Sequence, residues 1–402
     1  MEAAALSFHV HPAIDGVAEA DWNACFPGDP ENWSYYAAVE ASRLEAFEWV
    51  YFEVREGGRS LAVAPAFITH YRLDTTVQGR WKHWLRSMPA WATSLLTLRL
   101  LCLGSPLADT CHFGFAPMQP ADRCRDLAGR LLAGVERYAA ARGLWLLAAK
   151  DLPDELANGA AGAALDEASY ARERSLPNAM LELPAGGEAA WLAALSRSTR
   201  REVRRKLGSS SALKIEERHG PAALEFIPEI FRLYELQRAG SSVDFDQFEA
   251  LTPDYFRHVL LALGERSVVF LYWNEDRLIG FNLCYHTASA FIDKFIGFDP
   301  GPARQLNLYV VSWVHNLRYC AARNIRLLQT GQTAYAMKVH LGSRLARNWN
   351  YFRHRCKPVN ALLRLAGPLL AAERYDEDLR TEDPRAGARG VERPANSERT
   401  PA

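Results

Sequence analysis

The stretch from Ala290 to Gly342 constrains the fold of this chain more than any other. Its opening AFIDKFIGF alternates as a strand does, with Phe291, Asp293 and Phe295 predicted on one face and Lys294 on the other. Turn residues follow, then LYVVSWVHNLRYCAAR with apolar residues at helical spacing. A short apolar strand (325–328), a glycine and a short helix (334–341) complete the stretch. This order predicts a βαβ unit, and the unpaired N–H groups at its helix N-terminus suit an anionic ligand group.

Two further runs before this unit, at residues 267–273 and 277–285, predict an antiparallel meander together with its first strand at 290–298. Short polar turns separate the three runs. In the first half, a helix at 121–142, a glycine and an apolar strand at 144–149 repeat the order seen at 308–328. We therefore predict an α/β (α+β) chain with a duplication at the level of fold, although no residue-by-residue repeat is visible.

The 402 residues suffice for two domains with separate cores, and the 49% hydrophobic content excludes a mainly disordered protein. Composition places the boundary in the Ala/Gly/Glu-rich segment near residues 150–180. We predict an N-terminal domain over 1–175 with a tryptophan-rich insertion near 81–103, and a C-terminal domain over 176–358. Residues 359–402 are predicted to be an amphipathic segment followed by a polar, Pro/Gly-rich disordered tail.

Charge and cysteine usage exclude several classes of protein. Lys+Arg and Asp+Glu both number 47, so no net field attracts nucleic acid or an anionic membrane to the whole molecule. The 7 cysteines have no CxxC spacing, which favours reduced, buried thiols over disulfides or a zinc site. The start MEAAALSFHVH has no basic region ahead of an apolar core, and no apolar run reaches the ~20 residues of a membrane span. We expect a cytoplasmic protein.

Two stretches leave a peripheral membrane contact open. Residues 81–103 mix three tryptophans with basic residues, and the amphipathic stretch 360–372 follows the basic run 353–357. Packing of each stretch on its own domain is the alternative. The expected address is therefore the cytoplasm, with contact at the inner membrane surface as a second hypothesis.

The second half resembles a known family. Tyr335, Lys338 and Gly342, the preceding strand with Gly331, and the basic segment LSRSTRREVRRKL (195–207) resemble the GNAT-like N-acyltransferases of the FemAB and BioF2-like (CelD-type) group. The resemblance extends over residues 181–355. It implies tandem GNAT-like domains with mixed central sheets flanked by helices, and transfer of an acyl or aminoacyl group to an amine.

Several residues are candidates for the chemistry that this resemblance implies. Asp293 carries a charge within a predicted central strand, where charge is costly unless paired or facing a cleft, so it is a candidate for handling the proton. A buried ion pair without a role in catalysis is the alternative. Tyr335 and Lys338 share a helical face and match the family pattern, which makes them candidates for positioning substrate. Lys294, Gln329 and Gln332 are candidate substrate contacts.

The predicted cofactor is acyl-CoA as a cosubstrate, without a metal. The Gly-rich pyrophosphate loop of ordinary GNAT proteins is replaced here by DPGPARQLN (299–307), in which Arg304 and Gln305 remain candidates to meet phosphates. Asn307 and Leu308, at the start of the following helix, complete this candidate set. Because the loop departs from the pattern, two alternatives remain open: an aminoacyl-tRNA donor, and a binding protein that keeps the fold without catalysis.

The basic segment predicts a partner that carries phosphate. Its arginines, among them Arg201 and Arg204, follow one helical flank and suit a tRNA, a sugar nucleotide or an anionic lipid. A solvated helix with local ion pairs is the alternative. The expected reaction is N-acyl transfer from acyl-CoA to an amine of a small or cell-envelope metabolite.

Overall fold

The computed structural model describes residues 5–72, 97–210, 213–240, 250–370 and residue 379. Most of the predicted tryptophan-rich insertion and the predicted disordered tail lie outside these residues. The strands are β1 Ser7–His11, β2 Glu48–Glu56, β3 Arg59–Arg72, β4 Thr97–Leu103, β5 Gly114–Phe115, β6 Leu146–Pro153, β7 Ala171–Arg174, β8 Asn178–Glu182, β9 Lys214–His219, β10 Ser267–Asn274, β11 Arg277–His286, β12 Ala290–Phe298, β13 Leu327–Gln329, β14 Arg344–Ala346 and β15 Asn348–His354.

The α-helices of the described residues are α1 Glu19–Cys25, α2 Trp33–Ala41, α3 Ala121–Ala141, α4 Asp154–Ala157, α5 Ala160–Glu167, α6 Gly187–Ala194, α7 Arg197–Gly208, α8 Ile227–Ala239, α9 Pro253–Leu263, α10 Pro300–Gln305, α11 Leu308–Ala322, α12 Tyr335–His340 and α13 Lys357–Leu370. Short 3₁₀ turns cover Ile14–Gly16, Gly220–Phe226 and Gly264–Arg266.

These strands form two mixed sheets, one in each half of the chain. The first has the order β1-β2-β3-β4-β6-β15-β7, with β5 beside β3, and the second has the order β14-β8-β13-β12-β11-β10-β9. Each contains one parallel pair, β4 with β6 and β12 with β13, and in each case a long helix, α3 or α11, connects the two strands. The predicted duplication is therefore present as two strand–helix–strand units.

Amphipathic patterning explains why these helices cover these sheets. On α3, Leu127, Leu131 and Val135 are buried at helical spacing, and they contribute to a core on one face of the first sheet. On α11, Val314 and Leu317 are fully buried in a core on the second sheet. A third core combines residues of both halves, including Tyr35 of α2 and Tyr285 of β11, so the two domains share buried apolar surface.

Strand β15 departs from the predicted division of the chain. It lies within the predicted C-terminal domain (176–358), yet it pairs with β6 and β7 in the first sheet. Strand β7 itself falls in the segment that the sequence indicated to be a connection. The chain thus enters the second sheet after residue 177 and returns to the first sheet at residue 348.

A bulge in β12 corrects the predicted alternation of that strand. Leu283 of β11 faces Phe295, whereas the next residue, Cys284, faces Asp293, so Lys294 is the extra residue. As a result Phe291 joins the core beneath α11, while Phe295 packs into the core shared by the two domains. The expectation that Phe291 and Phe295 share one face was wrong, because a bulge shifts the side-chain period by one residue.

Candidate functional site

A cavity of about 570 Å³ lies between the two sheets. The first domain contributes the ends of β4 and β6 and the segments that follow them, and the second contributes β12, the start of α11 and the segment from Thr330 to Ala334. Strand β12 pairs with β13 only through residues 290–292, so among the described strands none pairs with this side of residues 293–298. The two parallel strands therefore diverge at Asp293 and leave an unpaired backbone edge facing the cavity.

Asp293 begins this free edge, and two asparagines hold its carboxylate. Asn316 of α11 donates from Nδ2 to Asp293 Oδ2 at 3.1 Å. Asn282 of β11, which is fully buried, donates from Nδ2 to Asn316 Oδ1 at 3.3 Å. Burial raises the pKa of the Asp293 carboxyl to about 6, against the opposing effects of the Lys338 charge and the asparagine hydrogen bonds. A carboxyl with this pKa is well placed to exchange protons near neutral pH.

Lys338 supplies a cation to the same cavity. Its Nζ donates to the carbonyl oxygens of Thr330 and, at 3.0 Å, Gln332, and 6% of the residue is exposed. Burial lowers the pKa of this ammonium to about 8, although the Asp293 and Asp109 carboxylates act in the other direction. Two carbonyls occupy two of its three N–H donors, so one donor remains for a ligand.

The backbone around Lys338 has an unusual conformation. Gly331, Thr333 and Ala334 all have positive φ values, of 71°, 68° and 49°. Thr333 and Ala334 are not glycines, so this left-handed geometry costs free energy and is typical of functional sites. This loop directs its carbonyl groups at the Lys338 ammonium, and α12 begins directly after it, beside the cavity.

Lys294, the bulge residue, connects the two domains. Its Nζ contacts Glu31 Oε1 at 2.5 Å and also donates to the carbonyl oxygen of Leu107, and both ionic side chains are almost fully buried. Burial alone would lower the pKa of the Lys294 ammonium. The Glu31 and Asp109 carboxylates have a larger effect and raise that pKa. Lys294 lines the cavity, but its hydrogen bonds go to the first domain.

The first domain contributes acidic groups that the sequence analysis did not identify. Asp109 follows β4, and its Oδ2 accepts from Gln329 Nε2 at 3.4 Å. Asp151, at the end of β6, forms an ion pair with Lys150 and accepts a hydrogen bond from the Ser175 hydroxyl. Both aspartates line the cavity. Asp151 near the end of the apolar strand β6 and Asp109 in the segment that follows the apolar strand β4 were the signal available in the sequence, since ligands gather at the carboxyl ends of parallel strands.

The structure brings together some of the predicted site residues. Asp293, Lys294, Gln332 and Lys338 all line the cavity. Gln329 reaches it indirectly through its bond to Asp109. Tyr335 is 1% exposed and does not line the cavity, because its hydroxyl donates to the Pro177 carbonyl at 3.0 Å. The pairing of Tyr335 with Lys338 at a common substrate is therefore not what the geometry provides.

The predicted cofactor and basic-segment residues lie elsewhere. Arg304 and Gln305 are exposed on α10, Asn307 donates to the Ser209 hydroxyl at 3.0 Å, and Leu308 is fully buried at the start of α11. Arg201 and Arg204 are exposed on α7. None of these six residues lines the described cavity, whereas Tyr309, Ser312 and Trp313 of α11, which were not predicted, do.

Within the described ranges, no set of three or more His, Cys, Asp or Glu side chains is grouped as metal ligands would be. In the same ranges, no helix combines the length and apolar character needed to cross a bilayer.

Comparisons with known proteins agree with this architecture. Residues 196–339 match the family model described as the acetyltransferase (GNAT) domain. The crystal structure of FemX superimposes with a TM-score of 0.56 at 12% identity, covering 89% of this chain and 100% of that one. The C-terminal domain of a protein described as a lysylphosphatidylglycerol synthetase, from Agrobacterium fabrum, gives a TM-score of 0.51 at 12% identity, covering 87% of this chain and 97% of that one.

No protein of the curated set matches the chain in sequence. At 12% identity the two structures support only the fold, and the family match applies to residues 196–339. The chain has an α/β fold with two mixed sheets flanked by helices, and its residues 196–339 are similar to the acetyltransferase (GNAT) domain.

Proposed function

We propose that the protein is an N-acyltransferase that joins an acyl group to an amine in the cavity between its domains. The observation that carries this proposal is the position of Asp293 at the divergence of β12 and β13, with its carboxylate held by Asn316 and the Lys338 ammonium bordering the same cavity. A proton acceptor and a cation then stand beside an unpaired strand edge. Amide formation needs these parts and needs no covalent intermediate.

The chemistry divides between the two charged residues. An amine enters as an ammonium and gives one proton to Asp293, which frees the nitrogen lone pair. The nitrogen attacks the carbonyl carbon of a thioester, so that a C–N bond forms and the C–S bond breaks. A second proton from the nitrogen passes to the departing thiolate, giving an amide and a thiol. The free N–H donor of Lys338 stabilises the carbonyl oxygen as it gains negative charge.

The proposed donor is an acyl-CoA. The carrier arm of CoA contains amide groups, which match the unpaired N–H and C=O groups of residues 293–298 by adding to the strand edge. The N-terminus of α11 follows this edge in the chain, and Arg304 is exposed on α10, the short helix between them. A phosphate group is stabilised by such a helix end.

Binding and turnover with acyl-CoA donors test this proposal. We expect acetyl-CoA to raise the melting temperature and to be consumed with a panel of amines, with release of free thiol. The Asp293→Asn variant is expected to lose at least a hundredfold in kcat/KM. Asp276→Asn, at an exposed turn, is the matched control. If acyl-CoA binds and Asp293→Asn retains full turnover, Asp293 is not the proton acceptor. Failure of every donor to bind would favour the non-catalytic alternative.

A second candidate function is transfer of an aminoacyl group from tRNA. The observation in its favour is α7, on which Arg201, Arg204 and Arg205 are exposed and their side chains have no hydrogen-bond or ion-pair partner among the described residues. Lys206 on the same helix, in contrast, pairs with Glu202 at 2.6 Å. Unpaired arginines on one helix suit a polyanion. The synthetase-type neighbour described above is consistent with this candidate by its name alone.

Salt dependence distinguishes the two donors. If tRNA is the donor, its binding weakens steeply with salt, and replacing the three exposed arginines of α7 by glutamate abolishes it. Charge reversal at Arg125, Arg130 and Arg257, which are exposed on other helices, is the control of equal net charge. Turnover of acyl-CoA that is unaffected by the α7 changes would remove α7 from the reaction.

We also propose that α13 contacts a membrane surface. Leu362 and Leu365 on α13 are 66% and 79% exposed. Trp145 is 53% exposed and contacts Arg355, which lies two residues before the start of α13. Exposed apolar side chains next to cations suit an anionic lipid surface. Co-sedimentation with vesicles of phosphatidylglycerol, and not of phosphatidylcholine, is expected for the wild type and lost on Leu362→Ser/Leu365→Ser.

A further inference from the structure

We propose that the cavity contains a subsite for an unbranched aliphatic tail, built on the face of the first sheet. It is formed by Phe67, Leu100, Cys102, Ala148 and Phe352, here called the apolar trough, all of which line the cavity. This inference rests on the proposed function and specifies the substrate class: one of the two reactants carries a hydrocarbon chain.

Strand register places four of these residues in one row. Phe67 of β3 faces Cys102 of β4, Cys102 faces Ala148 of β6, and Ala148 faces Phe352 of β15. Residues in register on neighbouring strands project from the same face of a sheet. The row therefore reads large, small, small, large across four adjacent strands. Two phenyl rings form walls, and the small side chains between them leave a depression above β4 and β6.

The depression runs along β4 and β6, since its walls stand on the strands at either side. At one end lie Lys150 and Asp151, and at the other lies Leu100, which faces Leu146. Lys150 follows Leu146 by four residues on β6, which corresponds to a distance of about 13 Å along the strand. An extended chain advances about 1.2 Å per bond, so a tail of about ten carbons fits this depth.

The second domain provides a roof of the same character. Phe295 and Ile296 of β12 and Tyr234 of α8 line the cavity. The rings of Tyr234 and Phe295 meet edge to face, with centroids 5.7 Å apart. None of the eight residues named for the trough and its roof is charged. An apolar chain makes no hydrogen bonds, and these surfaces offer almost none.

The opposite end of the cavity is polar. Asp109, Asp151, Asp293 and Lys338 all border it. A ligand that satisfies both ends has a polar, reactive head near Asp293 and a tail that extends towards Leu100. The acyl group of the donor has this form, and so does an amine with an alkyl chain. Both sources share the chemistry of the trough, and chain-length series in each distinguish them.

Binding by calorimetry tests the trough without requiring turnover. The probes are acyl-CoA esters of 2, 6 and 10 carbons and unbranched alkylamines of the same lengths. In one series, affinity is expected to rise by up to about fourfold per added methylene until the trough is full. A rise among the esters assigns the tail to the donor, and a rise among the amines assigns it to the acceptor. Flat affinities in both series would overturn the inference.

Substitutions on the trough floor give the second test. Ala148→Leu fills the depression and is expected to reduce the ratio of ten-carbon to two-carbon affinity at least tenfold. Ala141→Leu, at an exposed position of α3, adds the same side chain away from the cavity and is expected to preserve the ratio. Cys102→Ala enlarges the trough, so the preferred tail becomes longer even if Ala148→Leu fails to fold. Unchanged ratios in folded variants would overturn the inference.

The two proposals fail in different ways. Tail-dependent binding without amide formation in any donor–amine combination would support the trough and contradict the proposed transferase. Acetyl transfer that proceeds while chain length affects neither binding nor turnover would support the transferase and contradict the trough.

Discussion

Removing the Lys294 ammonium is expected to destabilise the protein strongly, because the buried Glu31 carboxylate would lose the cation that contacts it. The exposed fractions of the two side chains are 2% and 1%, and the Nζ to Oε1 distance is 2.5 Å. Breaking a buried ion pair from one side costs about 3–5 kcal/mol of unfolding free energy. The Lys294→Met variant keeps much of the side-chain volume and removes the charge.

The corresponding change in melting temperature follows from the size of the chain. Unfolding entropy is about 2.1 cal/mol/K per residue, or about 0.84 kcal/mol/K for a chain of 402 residues. A loss of 3–5 kcal/mol then lowers the melting temperature by about 4–6 °C. Differential scanning calorimetry measures this shift and shows whether the two domains still unfold in one transition.

Two controls test the reasoning behind this value. The Glu31→Leu/Lys294→Met variant removes both charges and is expected to recover most of the lost stability, since a buried pair contributes little net free energy over apolar replacements. Arg277→Met breaks an ion pair with Asp299 in which the arginine is 66% exposed, and it is expected to cost less than about 1 kcal/mol. A Lys294→Met loss no larger than that of Arg277→Met would refute the argument.

Further predictions concern the charged and polar groups around the cavity. For turnover, kcat/KM is expected to rise with pH through about 6 as Asp293 ionises and to fall above about 8 as Lys338 loses its proton. If the rise of kcat/KM near pH 6 persists in Asp293→Asn, this role of Asp293 is contradicted. For stability, the pKa of Asp293 is higher in the folded protein than the 3.8 of the unfolded chain, so protonation of Asp293 favours the folded state. This contribution to the free energy of unfolding is complete below pH 3.8 and is lost as pH rises through about 6. In Asp293→Asn, the melting temperature should therefore depend less on pH between these two values. The Tyr335→Phe variant removes a buried hydrogen bond to Pro177 and is expected to cost about 1 kcal/mol of stability with less than a twofold change in kcat/KM; a large loss of turnover in a stable variant would return Tyr335 to the site.

Local patterns in the sequence were sufficient to predict the helices and strands near the site. The meander and the βαβ unit occur where alternation and helical spacing predicted them, and the ends of α11 agree within a few residues. The charge of Asp293 within an apolar strand also identified a residue that lines the cavity. These features depend on neighbours in the chain, so the sequence carries them directly.

What the sequence could not reveal depends on distant contacts. The bulge at Lys294 comes from the pairing of β12 with β11, and no residue type within AFIDKFIGF signals it. The partner of Lys294 is Glu31, which lies 263 positions away in the chain. Half of the cavity belongs to the first domain, where residues such as Cys102 and Ala148 look like ordinary core positions until register places them side by side.

The position of β15 also determines the order in which the chain can complete its folding on the ribosome. Strand β7 is made early, yet β15 is its partner in the sheet and follows after residues 175–347 have been synthesised. At about 5–20 residues per second, this takes roughly 9 to 35 s. During that interval the β6 edge of the nascent first sheet lacks its partner and is open to wrong pairing. The domain that leaves the ribosome first is thus the last to be finished.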